Sequence, residues 1–289
     1  MITCHSLGVN GRLGNQLFQY AALRGLAEKN GYDICIPDPK TRSWQGQDCL
    51  LREFNVEAEK CELSDTNIEF IYMEPDYMTF DSNFYDIPDR TSIDGYFQST
   101  LYFDHCTSIL KREFLPKKEY RLRAAKYVSD ITKKSDKPIV SIHLRRGDNT
   151  DDTNSSKELN SAYDSGGFYE EYLEKAIPQF GDVEFLVFTG GSRTSNDNRK
   201  DIEWCKKYFG NRKETFHFSE GGSVVDDFAR IACCSGHILS HVSSFGWWAA
   251  WVSASWDDGK KVVAPNKYHP DMPYYTHRQG FFPEEWILV

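Results

Sequence analysis

Ile139-Val140-Ser141-Ile142-His143-Leu144-Arg145-Arg146-Gly147-Asp148 is an apolar, β-rich run that stops abruptly in two arginines, a glycine and an acid. Residues 139–144 suit a short buried strand, and the glycine bends the chain where that strand ends. The same rhythm recurs downstream. Apolar spacing predicts helices over 167–180, 201–209, 223–234 and 244–256, and strands over 183–189, 214–218, 237–242 and 261–264. Strand–helix alternation at this pitch implies βαβ units and a parallel sheet covered on both faces. Doubly wound sheets hold ligands at the carboxyl ends of their strands, and the two arginines fall at such an end.

The N-terminal half opens in a related way. Residues 2–9 read as a strand, and Asn10-Gly11-Arg12-Leu13-Gly14-Asn15-Gln16 as a turn. Residues 16–29 then carry Leu17, Tyr20, Ala21, Leu23 and Ala27 at helical spacing. Asn30-Gly31 stops that helix and 32–36 reads as the next strand. From 37 to 89 the chain is rich in aromatics and keeps no clean period. Residues 91–98 alternate as a strand, and 102–114 form an amphipathic helix. The basic segment 115–138 reads as a solvated helix bridging two lobes, 1–134 and 135–289. The expected architecture is therefore α/β, two Rossmann-like lobes facing each other across a cleft.

Composition removes several classes. At 289 residues and 40% hydrophobic, the chain is about two domains long and has ample core-forming side chains, so disorder is excluded. No stretch approaches the ~20 apolar residues of a membrane helix, so no transmembrane segment is expected. With 34 basic against 43 acidic residues the net charge is −9, which argues against broad nucleic-acid binding. The eight cysteines are scattered and form no C-x-x-C pair. Together with an N-terminus that lacks a signal-peptide pattern, they point to reduced thiols and a cytoplasmic setting.

Three segments carry candidate chemistry. Arg145 and Arg146 bring planar, permanently charged forks that match phosphate oxygens, so they suit an anion hole for a diphosphate leaving group. The loop 10–16 places glycines before a helix N-terminus, where a ligand can approach the backbone closely. His241-Val242-Ser243-Ser244-Phe245-Gly246-Trp247-Trp248 sets two hydroxyls at a strand-to-helix junction. Ser244 there reads first as an N-cap, and the tryptophans as core. Asp148, Asp151 and Asp152 would ligate a divalent ion, supply a base, or merely solvate a loop. His237 and His241 lack the carboxylate of H-E-x-x-H, so no metal site is read from them. No G-x-G-x-x-G, P-loop or G-x-S-x-G run occurs, which leaves nicotinamide, P-loop and serine-hydrolase chemistry without support.

Four runs occur in a familiar order: Gly11-Arg12-Leu13-Gly14-Asn15-Gln16-Leu17-Phe18-Gln19-Tyr20-Ala21, Gly95-Tyr96-Phe97-Gln98-Ser99, His143-Leu144-Arg145-Arg146-Gly147-Asp148 and Ser243-Ser244-Phe245-Gly246-Trp247-Trp248. In sequence and spacing they resemble the α-1,2-fucosyltransferases, glycosyltransferase family eleven, and span most of the chain. The G-R-x-G-N motif is also similar to that of protein O-fucosyltransferases. The resemblance implies a GT-B type enzyme whose N-terminal lobe mostly binds a glycan acceptor and whose C-terminal lobe binds GDP-β-L-fucose. It implies an inverting, metal-independent transfer to the 2-hydroxyl of a galactoside.

By the same resemblance, Arg145 holds the β-phosphate and His143 lies beside it near the nucleoside. Ser243, Ser244 and Phe245 line the diphosphate and base pocket. Asp227, or Asp226 next to it, meets guanine, while Arg12 and Asn15 sit near the transferred sugar. Asp148 is the first candidate for a base and Asp152 the second. The chain departs from the bacterial pattern in Phe188-Thr189-Gly190-Gly191-Ser192, in Val242 where an Asn is expected, and in Gly246 in place of a serine. Two alternatives stay open. One is a different GDP-sugar transfer, of α-1,6 or protein O-linked type. The other is a non-catalytic glycan-binding module that uses the aromatics between Tyr72 and Phe103.

Overall fold

The computed structural model of the chain describes residues 1–62, 67–147, 150, 166–190, 197–241, 243–254, 259–266 and 278–289. They fall into two compact units, Met1–Lys117 with Tyr274–Glu284, and Lys118–Pro273 with Glu285–Val289. The first unit contains α1 (Leu13–Asn30), β1 (Cys35–Pro37), a small antiparallel hairpin of β2 (Ser43–Trp44) and β3 (Gln47–Asp48), β4 (Glu59–Cys61), β5 (Phe70–Met73), β6 (Thr91–Asp94) and α2 (Thr107–Glu113). β1 pairs with β4, and β5 with β6, both in parallel. Ile2 bridges Ile34 and Thr3 bridges Ser92 in the same sense, so the strands lie in the order β4, β1, residues 2–3, β6, β5.

The strand expected over 2–9 pairs only at Ile2 and Thr3. Directly after it, Leu7 N donates to Cys4 O (3.1 Å) and Val9 N to Ser6 O (3.0 Å), which turns the chain. α1 is enclosed by its unit: Leu17, Phe18, Tyr20, Ala21, Ala22, Leu23, Leu26 and Ala27 are all buried, as expected of a helix with apolar or small residues around its whole circumference. Four of the nine aromatics from Tyr72 to Phe103 are core as well. Phe84, Phe97, Tyr102 and Phe103 are fully buried, with Phe84 and Phe97 meeting the Tyr102 ring edge-on at 4.7 and 5.3 Å. Packing consumes these four rings, so the support they would lend a glycan-binding module falls to the exposed Tyr77 and Tyr96.

The side-by-side placement of β1 and β4 brings Cys35 within reach of Cys61, and the two form a disulfide with a Cα–Cα distance of 5.9 Å. The expectation of eight reduced thiols is corrected for this pair, and the thiol argument for a cytoplasmic setting weakens with it. The other six cysteines are free.

The second unit contains α3 (Lys118–Ser135), β7 (Ile139–Arg145), α4 (Gly167–Ala176), β8 (Glu184–Gly190), α5 (Arg199–Phe209), β9 (Phe216–Phe218), α6 (Val224–Cys233), β10 (Gly236–Ile238), α7 (Ser244–Ala254), β11 (Lys261–Ala264) and β12 (Ile287–Leu288). Its six strands form one sheet in the order β12-β11-β10-β7-β8-β9, and every pair is parallel. Counted from β7 this is the doubly wound order 3-2-1-4-5-6, which reverses between β7 and β10. The basic segment does not bridge the units. α3 packs on α6 inside the second one, through Arg123 to Asp226 (2.7 Å) and the Tyr127 ring beneath Arg230 (4.0 Å). The division therefore lies at 117/118 rather than at 134/135.

Pleating sorts β7. Val140, Ile142 and Leu144 join a core with Tyr169, Tyr172 and Leu173 of α4 and Cys205 and Phe209 of α5. Ser141 and His143 therefore face the other side of the sheet, where the Ser141 hydroxyl meets His237 Nδ1 (2.8 Å). No helix among the described residues is long and apolar enough to cross a membrane.

Candidate active site

Strand order, not motif, locates the site in the second unit. Between β7 and β10 the strand order reverses, and in doubly wound sheets ligands bind beyond the carboxyl ends of the strands at such a point. Arg145 ends β7 at this point. Its backbone is gripped on both sides: Arg145 N donates to Ser240 Oγ (2.8 Å) and Tyr169 Oη donates to Arg145 O (2.8 Å). Neither Ser240 nor Tyr169 stands out in the sequence, because a backbone contact leaves no residue-type signature. The side chain of Arg145 is half-buried and continues the His143 row.

Arg146 has a different position from the one its sequence suggests. Its guanidinium lies 3.6 Å from the centroid of the Trp204 ring, and its Nε donates to Asp201 (3.3 Å). Asp201 also accepts from Gly147 N (3.3 Å). Only 3% of Arg146 is exposed, so its guanidinium is committed to Trp204 and Asp201, and of the expected pair Arg145 is the remaining candidate for an anion.

Of the remaining donor-side candidates, His143 and Phe245 lie side by side. Phe245, in the first turn of α7, lies 5.6 Å from the His143 ring and 5.8 Å from Phe228 of α6. His143 is buried, and its pKa is pushed down to about 3, first by burial and then by the Arg145 charge, so the imidazole is neutral. Among the described residues its Nδ1 has no hydrogen-bond partner. A Cβ at position 246 would come within 2.7 Å of that nitrogen, which explains glycine where a serine was expected. Ser243, rather than Ser244, is the helix cap: its Oγ accepts from Gly246 N (3.3 Å), and Ser244 is the first residue of α7. Trp247 and Trp248 are core, as read.

The two neighbouring aspartates separate clearly. Asp226 closes a capping box with Ser223 and pairs with Arg123, so it is committed to structure. Asp227 sits beside it near the start of α6, bonded through Oδ1 to Ser219 (2.7 Å) and Arg230 (3.2 Å). Burial raises its pKa to about 6 against the lowering pull of those two partners. Its side chain keeps 23% exposure, and among the described residues Oδ2 has no protein partner. Asp148, Asp151 and Asp152 lie outside the described residues.

In the first unit the loop after Thr3 carries Arg12, and Asn15 sits in the first turn of α1. Gly11 has φ +94°, and a Cβ there would strike the Asn15 side chain at 2.6 Å. Arg12 is the extended N-cap of α1 and is half-buried. Gln16 ties this loop to its surroundings, donating to Gly11 O (3.1 Å) and accepting from Leu50 N (3.1 Å). Gln98 Nε2 donates to Asn15 Oδ1 (2.9 Å), which fixes the amide with its nitrogen on the other side.

The profile described as Glycosyl transferase family 11 matches residues 2–289. The chain belongs to this family. It is a glycosyltransferase. Among curated relatives it is similar to Galactoside alpha-(1,2)-fucosyltransferase 2 of Oryctolagus cuniculus, at 24% identity over 98% of this chain and 76% of that protein. The same enzyme of Sus scrofa is 26% identical over 96% and 78%. Alpha-1,2-colitosyltransferase of Escherichia coli is 27% identical over 68% and 61%. Among solved structures, POFUT1 in complex with GDP gives a TM-score of 0.52 at 11% identity, covering 91% of this chain and 96% of that one. The fucosyltransferase NodZ from Bradyrhizobium gives 0.50 at 12% identity, covering 86% and 91%. These likenesses show the fold, an α/β architecture of GT-B type.

Proposed function

We propose that this enzyme transfers L-fucose from GDP-β-L-fucose to the 2-hydroxyl of a galactoside, inverting the donor linkage to give an α-1,2 product. The observation that carries the proposal is the β7–β10 switch point, where a backbone-clamped Arg145 ends the strand that also bears His143, with the Phe245 ring beside that imidazole. In this reading Arg145 takes the β-phosphate as GDP departs, so its charge counts most as negative charge develops. Ser243, Ser244 and the first turn of α7 receive the diphosphate. Neutral His143 and Phe245 flank the nucleoside, and Asp227 Oδ2 accepts from guanine. The proposal assigns the transferred sugar to Arg12 and Asn15 and the acceptor proton to Asp148. The Escherichia coli relative, an alpha-1,2-colitosyltransferase by name, supports one competing donor, a colitosyl group.

The reading includes independence from divalent metal, because a permanent guanidinium already neutralises the leaving diphosphate. The test is initial rate with GDP-fucose and lactose, in excess EDTA and then with Mg²⁺ or Mn²⁺ restored. Full activity in EDTA is expected. Activity abolished by chelation and recovered with metal would sink the metal-free mechanism, and transfer from GDP-colitose but not GDP-fucose would replace the donor.

A pH dependence follows from Asp227. The ionised carboxylate is the strong acceptor for a guanine N–H at Oδ2, and protonation near pH 6 weakens it. GDP affinity is therefore expected to fall as pH drops from about 7.5 to about 5, by about tenfold per pH unit at most. Asp227→Asn should weaken GDP binding at the upper pH and flatten the slope. Calorimetric titration of both proteins checks this, and an equal slope in the variant would remove Asp227 from the guanine site.

A further inference from the structure

One motif residue has no role in the reading above. β6 ends at Asp94, and in the next turn Phe97 takes φ +51°, a backbone region that side-chain-bearing residues avoid. The surroundings hold it there. The Glu74 carboxylate accepts from Tyr96 N (2.7 Å) and from Phe97 N (3.1 and 3.0 Å), while the Phe97 ring is fully buried among Tyr72, Phe84 and Tyr102.

The effect of this turn is to present Tyr96. Its ring is 39% exposed, and its hydroxyl donates to Asn10 Oδ1 (3.2 Å). Gln19 Nε2 donates to both Asn10 O (3.2 Å) and Gly95 O (3.0 Å), so the loop after residues 2–3 and the loop after β6 are one hydrogen-bonded surface. Gln98, two residues on, holds Asn15. These loops follow the carboxyl ends of two adjacent parallel strands, where open sheets bind ligands.

Other exposed rings in this unit differ. Phe70 lies on the edge strand β5, and Tyr77 lies under the Arg278 guanidinium, whose carbon is 5.4 Å from its centroid. Tyr96 alone among the exposed aromatics of the described residues is tied into the Asn10–Asn15 loop.

We propose that the Tyr96 ring is a stacking platform for the apolar face of a pyranose in the acceptor glycan. An aromatic ring fixed at both its backbone and its hydroxyl offers a large contact at little cost in side-chain freedom. Backbone strain concentrated where a ring is presented beside a candidate sugar site is the pattern expected of a binding position. The inference rests on the glycosyl-transfer reading and narrows it, by assigning the acceptor subsite to a named residue.

Steady-state kinetics of Tyr96→Ala, Tyr96→Phe and Tyr96→Trp with lactose and GDP-fucose test it. Tyr96→Ala is expected to raise the acceptor KM about tenfold while leaving the donor KM and the acceptor-independent hydrolysis of GDP-fucose unchanged. Tyr96→Phe and Tyr96→Trp, which keep a flat ring, are expected to stay within about threefold of the unsubstituted enzyme. Should Tyr96→Ala unfold, Tyr96→Leu replaces it with the same expectation. An unchanged acceptor KM in a folded variant overturns the platform, as does a parallel rise in the donor KM. Failure of the unsubstituted enzyme to transfer fucose from GDP-fucose to lactose overturns the underlying reading instead.

Discussion

Arg145→Ala and Arg145→Lys are both expected to lose about a hundredfold in kcat, equivalent to about 3 kcal/mol in barrier. The two substitutions are informative together. Alanine removes charge and hydrogen bonds alike, whereas lysine restores the charge but not the planar fork that engages two phosphate oxygens at once. The structure makes the lysine test demanding, because Ser240 and Tyr169 hold the main chain of residue 145 from both sides. The backbone has little freedom to shift a shorter reach into place. Both variants should fold, since the side chain is half-buried at a strand end rather than in the core. Turnover near the unsubstituted rate in Arg145→Lys would mean that diffuse positive charge suffices and that the bidentate assignment is wrong.

Much of this arrangement was legible before the coordinates. The alternation from residue 139 onward gave every strand of the second unit except the short β12 near the C-terminus, since helix and strand periods differ wherever a buried face is long enough to show one. The first unit was harder. Its central strand is two paired residues, too short for any period, and its aromatics pack in turns and short helices where spacing carries no signal. The Cys35–Cys61 disulfide was missed because it depends on β1 and β4 being neighbours, which spacing along the chain does not reveal. In the site, Asp226 and Asp227 were indistinguishable as letters. Their separation comes from a capping box, and Ser223 three residues before Asp226 was the signal that could have found it. The two arginines could also have been told apart. Side chains alternate across a strand, so residues 145 and 146 should leave β7 on opposite faces.

That opposition sets the last expectation. Arg146→Ala is expected to destabilise the protein by about 3 kcal/mol, a fall in Tm of roughly 10 °C for a unit of this size. The guanidinium is pressed on Trp204 and paired with Asp201, with side-chain exposures of 4% and 13% across the pair. Removing it leaves a buried carboxylate without its cation, and that residue costs more than the lost contact itself. The Asp201 carboxylate also holds Gly147 N, so the turn after β7 loosens and kcat falls, though by less than for Arg145→Ala. The double variant Arg146→Ala with Asp201→Ala is the deciding measurement. With that buried carboxylate also removed it should recover part of the stability, so that the two single losses do not add. Thermal unfolding beside steady-state kinetics separates the roles. A variant as stable as the unsubstituted protein but as inactive as Arg145→Ala would return Arg146 to the ligand and undo the division of labour that the pleat of β7 imposes.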